Sequence, residues 1–250
     1  MSINPSKSQG KGAWFTTTSW SSLDAIRSGT PQATEALENL CRKYWYPLYA
    51  YVRRVGNDAH DAEDLTQGFF QQVLEKNLLG GADRSRGKFR SYLLIALKFY
   101  LQNARAFRTA QKRGGGRILI SLDDESPEAR YVKEPSTEAS PEKMFEQRWA
   151  MTILEHVQRQ LQEDYEGRDK GDLFDALKGF LSETADMRDY NTVAERLGMK
   201  PNAVAVAVHR LRDRYRELVR VEVAQTVASP EDVDAEMQHF FTALSATSGS

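Results

Sequence analysis

Residues 190–210 read YNTVAERLGMKPNAVAVAVHR, and this stretch decides the fold of the C-terminal half. Two helical patterns flank a break at Gly198. Val193 and Leu197 before it, and Met199, Val204 and Ala207 after it, occupy positions that pack one helix against the other. Ala194 precedes Gly198 by four residues, so a small side chain falls in the first helix and a glycine at the turn. Asn191 or Thr192 suits the cap of the first helix, and Pro201 suits the first turn of the second. Two readings fit: a plain helical hairpin, or a helix-turn-helix that presents its second helix to duplex DNA. The run His209, Arg210, Arg212, Arg214, Arg216 and Arg220 favours the second, because it supplies phosphate contacts along that helix.

Upstream, Phe145, Trp149, Ile153, Val157 and Leu161 recur at helical spacing from about Pro141, and Leu173, Phe174, Leu177 and Leu181 mark a second helix. Residues 141–222 therefore read as one helical domain. Before it, residues 113–140 include Gly114-Gly115-Gly116 and continue through Asp123, Asp124, Glu125, Pro127, Glu128, Glu134, Pro135 and Glu138 up to Pro141. Such a stretch has little power to form a core and reads as a linker. Ile118-Leu119-Ile120 within it suits a brief strand or a partner contact.

Residues 21–112 read as another helical domain. Ser21 or Ser22 caps a short helix with Leu23 and Ile26. Leu37, Leu40, Cys41, Tyr44, Trp45, Leu48 and Val52 make one apolar stripe, with Pro47 predicting a kink. Gly56-Asn57-Asp58 is a turn and cap. Ala62, Leu65, Phe69 and Val73 carry the next helix, which Gly80-Gly81 ends. A third helix spans about Lys88 to Gln111. Residues 1–20 form an arm that Trp14, Phe15 and Trp20 pin to the domain, and residues 223–250 form an acidic extension. From Thr226 onward the extension has no Lys or Arg, and Val233, Met237, Phe240, Phe241 and Leu244 make one amphipathic stripe. With no strand series and no internal repeat, the class is all-α: two small helical domains joined by an acidic linker.

Charge is distributed unevenly along a chain whose formal net charge is only −1. From Arg84 to Arg117 there is no Asp or Glu, while Arg84, Arg86, Lys88, Arg90, Lys98, Arg105, Arg108, Lys112, Arg113 and Arg117 alternate with Phe89, Tyr92, Phe99, Tyr100 and Phe107. A one-sign helix repels itself unless a polyanion uses it. Cations displace counterions from phosphates, and exposed rings stack on unpaired bases, so single-stranded or melting DNA suits this helix. A solvated basic face over an aromatic core is the plainer reading. Just upstream, Asp61, Glu63, Asp64 and Gln67 crowd one helix. These carboxylates suit a solvated face, a protein-binding face, or a divalent cation with His60 as the only local nitrogen ligand.

One cysteine, Cys41, excludes an internal disulfide and a thiolate cluster and reads as a core thiol. No apolar stretch is long enough to span a bilayer, residues 1–12 lack the apolar core of a signal peptide, and no phosphate-binding Gly-Lys-Ser/Thr loop occurs. The expectation is a cytoplasmic, non-enzymatic protein without membrane, metal or cofactor.

The three signals occur in the order of sigma factors of the sigma-70 family, and the chain resembles the extracytoplasmic-function (ECF) group over residues 21–222. The most specific match is Asp61-Ala62-Glu63-Asp64-Leu65-Thr66-Gln67, followed by Phe69-Phe70. It resembles the family's core-polymerase helix, which implies docking of Asp61, Glu63, Asp64, Leu65, Gln67 and Phe70 on the clamp coiled coil of the largest RNA polymerase subunit. Tyr44 to Arg53 is similar to the family's first conserved helix. Phe89-Arg90-Ser91-Tyr92-Leu93 looks like the start of the −10 recognition helix, which implies melted-strand contacts by Lys88, Arg90, Tyr92, Lys98, Asn103, Arg105, Arg108, Lys112 and Arg113. The second helix of the turn motif looks like the −35 recognition helix, which implies duplex contacts by Lys200, Asn202, Ala203, Val206, His209, Arg210, Arg212 and Arg214, with its domain on the polymerase flap. The resemblance also implies promoter DNA, both duplex and melted, and allows an anti-sigma factor as a partner. The chain departs from the pattern twice. Phe99 and Asn103 stand where the −10 helix usually has an Asn–Asp pair, and Ala205 and Ala207 stand where the −35 helix is usually basic. Two other functions compete. A stand-alone helix-turn-helix regulator explains 190–220 alone, and a metal-dependent nuclease would use Asp61, Glu63 and Asp64.

Overall fold

The computed structural model describes residues 33–75, 88–108, 126–134, 139–181 and 187–245. The expected arm, the Leu23–Ile26 helix, the Gly80-Gly81 stop, Lys112, Arg113 and the segment with Ile118-Leu119-Ile120 lie outside these residues. The described residues are helical and contain no strand. In chain order they form α1 (Ala33–Arg54), α2 (Ala59–Glu75), α3 (Phe89–Arg108), α4 (Pro127–Lys133), α5 (Pro141–Glu166), α6 (Gly171–Leu177) with a 3-10 turn at Lys178–Leu181, α7 (Met187–Leu197), α8 (Pro201–Ala224), a 3-10 turn at Pro230–Asp232, and α9 (Val233–Ser245).

Two compact units result: Met1–Thr152 with Val223–Ser250, and Ile153–Glu222. The first division falls within α5, at 152/153 and not at 140/141, and the second falls within α8 at 222/223. The C-terminal extension belongs to the first unit, not to a separate tail.

In the first unit the apolar stripe of α1 buries Leu40, Cys41, Tyr44, Trp45, Leu48 and Val52. The helix runs on through Pro47. Gly56 takes φ +97°, and the Asp58 side chain then accepts from the Asp61 N–H at 2.8 Å, so the predicted turn and cap form. Ala62, Leu65, Phe69, Phe70 and Val73 of α2 pack inward, with Phe70 stacked on Trp45 at 5.4 Å. A Cβ on Gly68 would overlap the Tyr100 hydroxyl, so this glycine lets the side chain of Tyr100 on α3 approach the α2 backbone. Phe89, Leu93, Leu94, Leu97 and Leu101 bury the inner face of α3.

The segment expected to be a plain linker contains α4. Ser126 caps it, its side chain accepting from the Ala129 N–H at 3.1 Å, and Pro127 occupies the first turn. No α4 side chain is buried, which is why apolar periodicity does not reveal it. Polar contacts hold it to α1. Arg53 grips Glu128 with two 2.8 Å hydrogen bonds, and the Arg130 guanidinium sits 3.9 Å from the centre of the Tyr46 ring.

In the second unit, Leu161, Phe174, Leu177, Phe180, Ala194, Val204, Val208 and Leu211 form one core. The α7–α8 turn closes with Gly198 at φ +63°. The Gly198 N–H donates to Glu195 and the Met199 N–H to the Ala194 carbonyl, a left-handed helix stop that favours glycine. Lys200 then opens α8, its carbonyl accepting from Ala203 and Val204. Asn191 and Thr192 do not cap α7. The helix begins at Met187, placing both inside it on the exposed side.

Candidate nucleic-acid and protein-binding faces

Three faces matter, and each follows from the helix that carries it. On α8 the buried positions Val204, Val208 and Leu211 fix the opposite side outward. Lys200, Asn202, Ala203, Val206, His209, Arg210 and Arg214 are exposed there. Val206 is 50 % exposed although apolar, and with Ala203 it gives a small methyl surface among polar groups. His209 pairs with Asp213 at 2.8 Å, Arg216 with Asp213 at 2.9 Å and Arg214 with Glu217 at 2.8 Å. Such pairs between solvated side chains yield readily to a stronger anion. Arg212 is the exception. Its Nε donates to the Phe180 carbonyl at 2.8 Å, so the expected DNA-reading side chain instead satisfies the backbone of the 3-10 turn.

On α3 the inward packing of Leu93, Leu97 and Leu101 leaves Ile95 (51 % exposed), Phe99 (62 % exposed), Gln102 and Asn103 facing solvent. Spacing of three and four makes this one stripe. An exposed ring beside side-chain amides can stack on a base and hydrogen-bond its edge. Phe99 and Ile95 are the residues that the sequence reading left out of the site. The signal was present in the position of Phe99, four residues before Asn103, but aromatic residues in a helix read first as core. Tyr92 is half-buried, and the side chains of Arg105 and Arg108 lie outside those described.

The cations at the start of α3 are engaged. Arg90 is 1 % exposed. Its Nε pairs with Glu146, its Nη1 with Glu236, and its guanidinium lies 4.5 Å from the centre of the Trp149 ring. The expectation that Arg90 contacts DNA is therefore corrected: a guanidinium enclosed by two carboxylates and an indole has no path to a phosphate in this arrangement. Lys88 pairs with Glu236 at 2.8 Å, and its pKa is lowered by burial and by the adjacent Arg90 charge. Lys98 donates to Glu142 at 2.7 Å, and that bond raises its pKa. His239 of α9 lies 3.5 Å from Glu146. Its pKa is lowered by burial and by the charges of Arg90 and Lys88.

On α2, Glu63 is exposed, Asp61 and Asp64 are partly so, and His60 pairs with Asp64 at 3.2 Å. Leu65 and Phe70 are core residues. They shape the helix from within and present no side chain to a partner, which corrects their expected role in docking. Gln67 is half-buried, and its Nε2 is buried without a hydrogen bond. Among the described residues no group of three or more His, Cys, Asp or Glu is placed to hold a metal ion, and no helix is long and apolar enough to cross a membrane. Burial and the nearby Glu38 push the Cys41 thiol up to about 12, as befits a core residue.

No protein-family model, curated protein or solved structure matches this chain.

Proposed function

We propose that this chain is a sigma factor of the sigma-70 family, of the ECF group: a non-enzymatic, cytoplasmic subunit that binds core RNA polymerase and directs promoter recognition and opening. One observation carries the reading. A single unit holds an acidic, solvent-facing helix start at Asp61, Glu63 and Asp64, followed by a helix whose outer stripe is Ile95, Phe99, Gln102 and Asn103. Acid for a protein clamp and ring-plus-amide for an unpaired strand are different chemistries, and a sigma factor needs both. The resemblance of DAEDLTQ and FRSYL to the family motifs gives the same order.

In this reading α2 anchors the chain on the clamp coiled coil of the largest polymerase subunit. The second unit docks at the flap and lays the first half of α8 in the −35 major groove. There Asn202, His209 and Arg210 meet base edges or phosphates, and Ala203 with Val206 meets thymine methyls. The α3 stripe then holds the opened −10 strand, Phe99 stacking and Asn103 bonding. Opening is driven by the free energy of holding the unpaired strand, so no nucleotide is hydrolysed. Pull-down of core RNA polymerase by the wild type, lost in Asp64→Arg, is the expected result. A folded wild type that ignores its cognate core polymerase overturns the assignment.

The exposed face of α8 also fits a stand-alone duplex-binding regulator. Tight binding to an operator duplex without polymerase, with polymerase adding nothing, would favour that reading.

A further inference from the structure

The geometry points to the C-terminal helix α9 as a built-in competitor of nucleic acid: docked on the start of α3, Glu236 occupies Lys88 and Arg90, and a polyanion must displace it to reach them. This inference rests on the reading of α3 as a nucleic-acid helix.

The contact is specific. Glu236 is 0 % exposed and meets both cations. The Phe89 N–H, in the first turn of α3 where the helix offers no acceptor of its own, donates to the Thr226 carbonyl at 3.0 Å, and the Thr226 hydroxyl lies 3.4 Å from Glu236. Phe240 packs edge-on to Trp149 at 5.7 Å, and Lys43 donates to Gln225 at 2.7 Å. The segment 225–240 thus places a carboxylate where a phosphate would sit, with a backbone acceptor beside it.

The same segment is built to leave. Val233 and Phe240 are the fully buried apolar side chains of α9. A 13-residue helix is marginal by itself, and its docking combines these two side chains and Met237, packed with Ala224 and Val227, with the ion pairs. Buried ion pairs add little net stability because both partners lose water, so an incoming anion replaces Glu236 at small net loss. Phe89 also packs on Tyr44 of α1, with ring centres 5.5 Å apart, so the start of α3 has an apolar anchor besides α9. Meanwhile the outer stripe of Ile95, Phe99 and Asn103 stays open. The closed form therefore offers bases a platform but withholds two of the cations that hold the phosphates.

The test uses the full chain and a fluorescein-labelled single-stranded DNA 15-mer, with wild type and Glu236→Gln compared for affinity across salt. Glu236→Gln is expected to bind about tenfold tighter. Its log-affinity should fall with log salt by a slope steeper by about 0.7, since Lys88 is freed while Arg90 keeps Glu146, and each freed cation releases about 0.7 counterion on a single strand. Because that variant unsettles a buried pair, hydrogen exchange is also followed in the wild type. Amides of 233–245 should exchange faster when the 15-mer is bound. Equal binding by both proteins with unchanged α9 protection overturns the competitor and leaves the nucleic-acid reading of α3 standing. No binding by either protein removes that reading, and the competitor with it.

Discussion

The start of α3 and helix α8 both carry cations suited to a polyanion, yet the fold treats them oppositely. On α8, Lys200, His209 and Arg210 project to solvent, and His209 pairs with its near neighbour Asp213 on the same surface. On α3, Lys88, Arg90 and Lys98 are matched by Glu236, Glu146 and Glu142, which come from elsewhere in the chain. A count of basic residues measures the capacity to bind a polyanion. Only the position of distant carboxylates says how much of that capacity is free.

Four experiments break or sharpen the contrast. The largest effect should come from Arg90→Ala. It leaves Glu236 buried against Lys88 alone, and removal of one partner of a buried pair costs about 3–5 kcal/mol. Arg210→Ala, on the solvated face, should stay within about 0.5 kcal/mol. Urea denaturation of both variants checks the difference, and equal stabilities would erase it.

Next, Phe99→Ala should weaken single-stranded DNA binding by about 1–3 kcal/mol while leaving the urea midpoint unchanged, because the ring is already outside the core. Arg210→Ala should instead weaken duplex binding and reduce its salt slope by about 0.9. A crossed result, with Phe99 mattering only to duplex, would reassign the two faces.

Gly198→Ala should destabilise the second unit by roughly 1–2 kcal/mol, since φ +63° is strained for a residue with a Cβ. Nothing lies within 4 Å of the position, so the loss is backbone strain and not a clash. Thermal melting of the variant checks it.

The smallest effect concerns pH. The folded pKa of His239 lies below its usual value, chiefly through burial and then through Arg90 and Lys88, with Glu146 opposing. The unfolded chain therefore takes up a proton that the folded chain refuses. This contribution to stability is fully present above about pH 6.5 and is lost as pH falls from there through the lower folded pKa. The urea midpoint of the wild type should drop more between pH 7.5 and 5.5 than that of His239→Gln. Equal drops would show that α9 docking ignores this group.

The amino-acid sequence by itself determined the helical class, the stripes of α1, α2 and α3, the Gly56–Asp58 turn with its cap, and the Gly198 turn. Each is a local matter, set by the periodicity of apolar side chains and by backbone conformations that few residues adopt. It also placed Asp61, Glu63 and Asp64 on one helix, because four residues span little more than one turn. Tertiary structure alone decided which cations are open. Arg90 and Arg212 look like their neighbours in the chain, and their burial depends on Glu146, Glu236, Trp149 and the Phe180 carbonyl, at separations no periodicity spans. The same holds for α4, docked through Arg53 and Glu128 without a buried side chain, and for the acidic segment after Thr226, whose one buried carboxylate ties it to α3. Electrostatic pairing has no sequence period, so its partners appear only once the chain has folded.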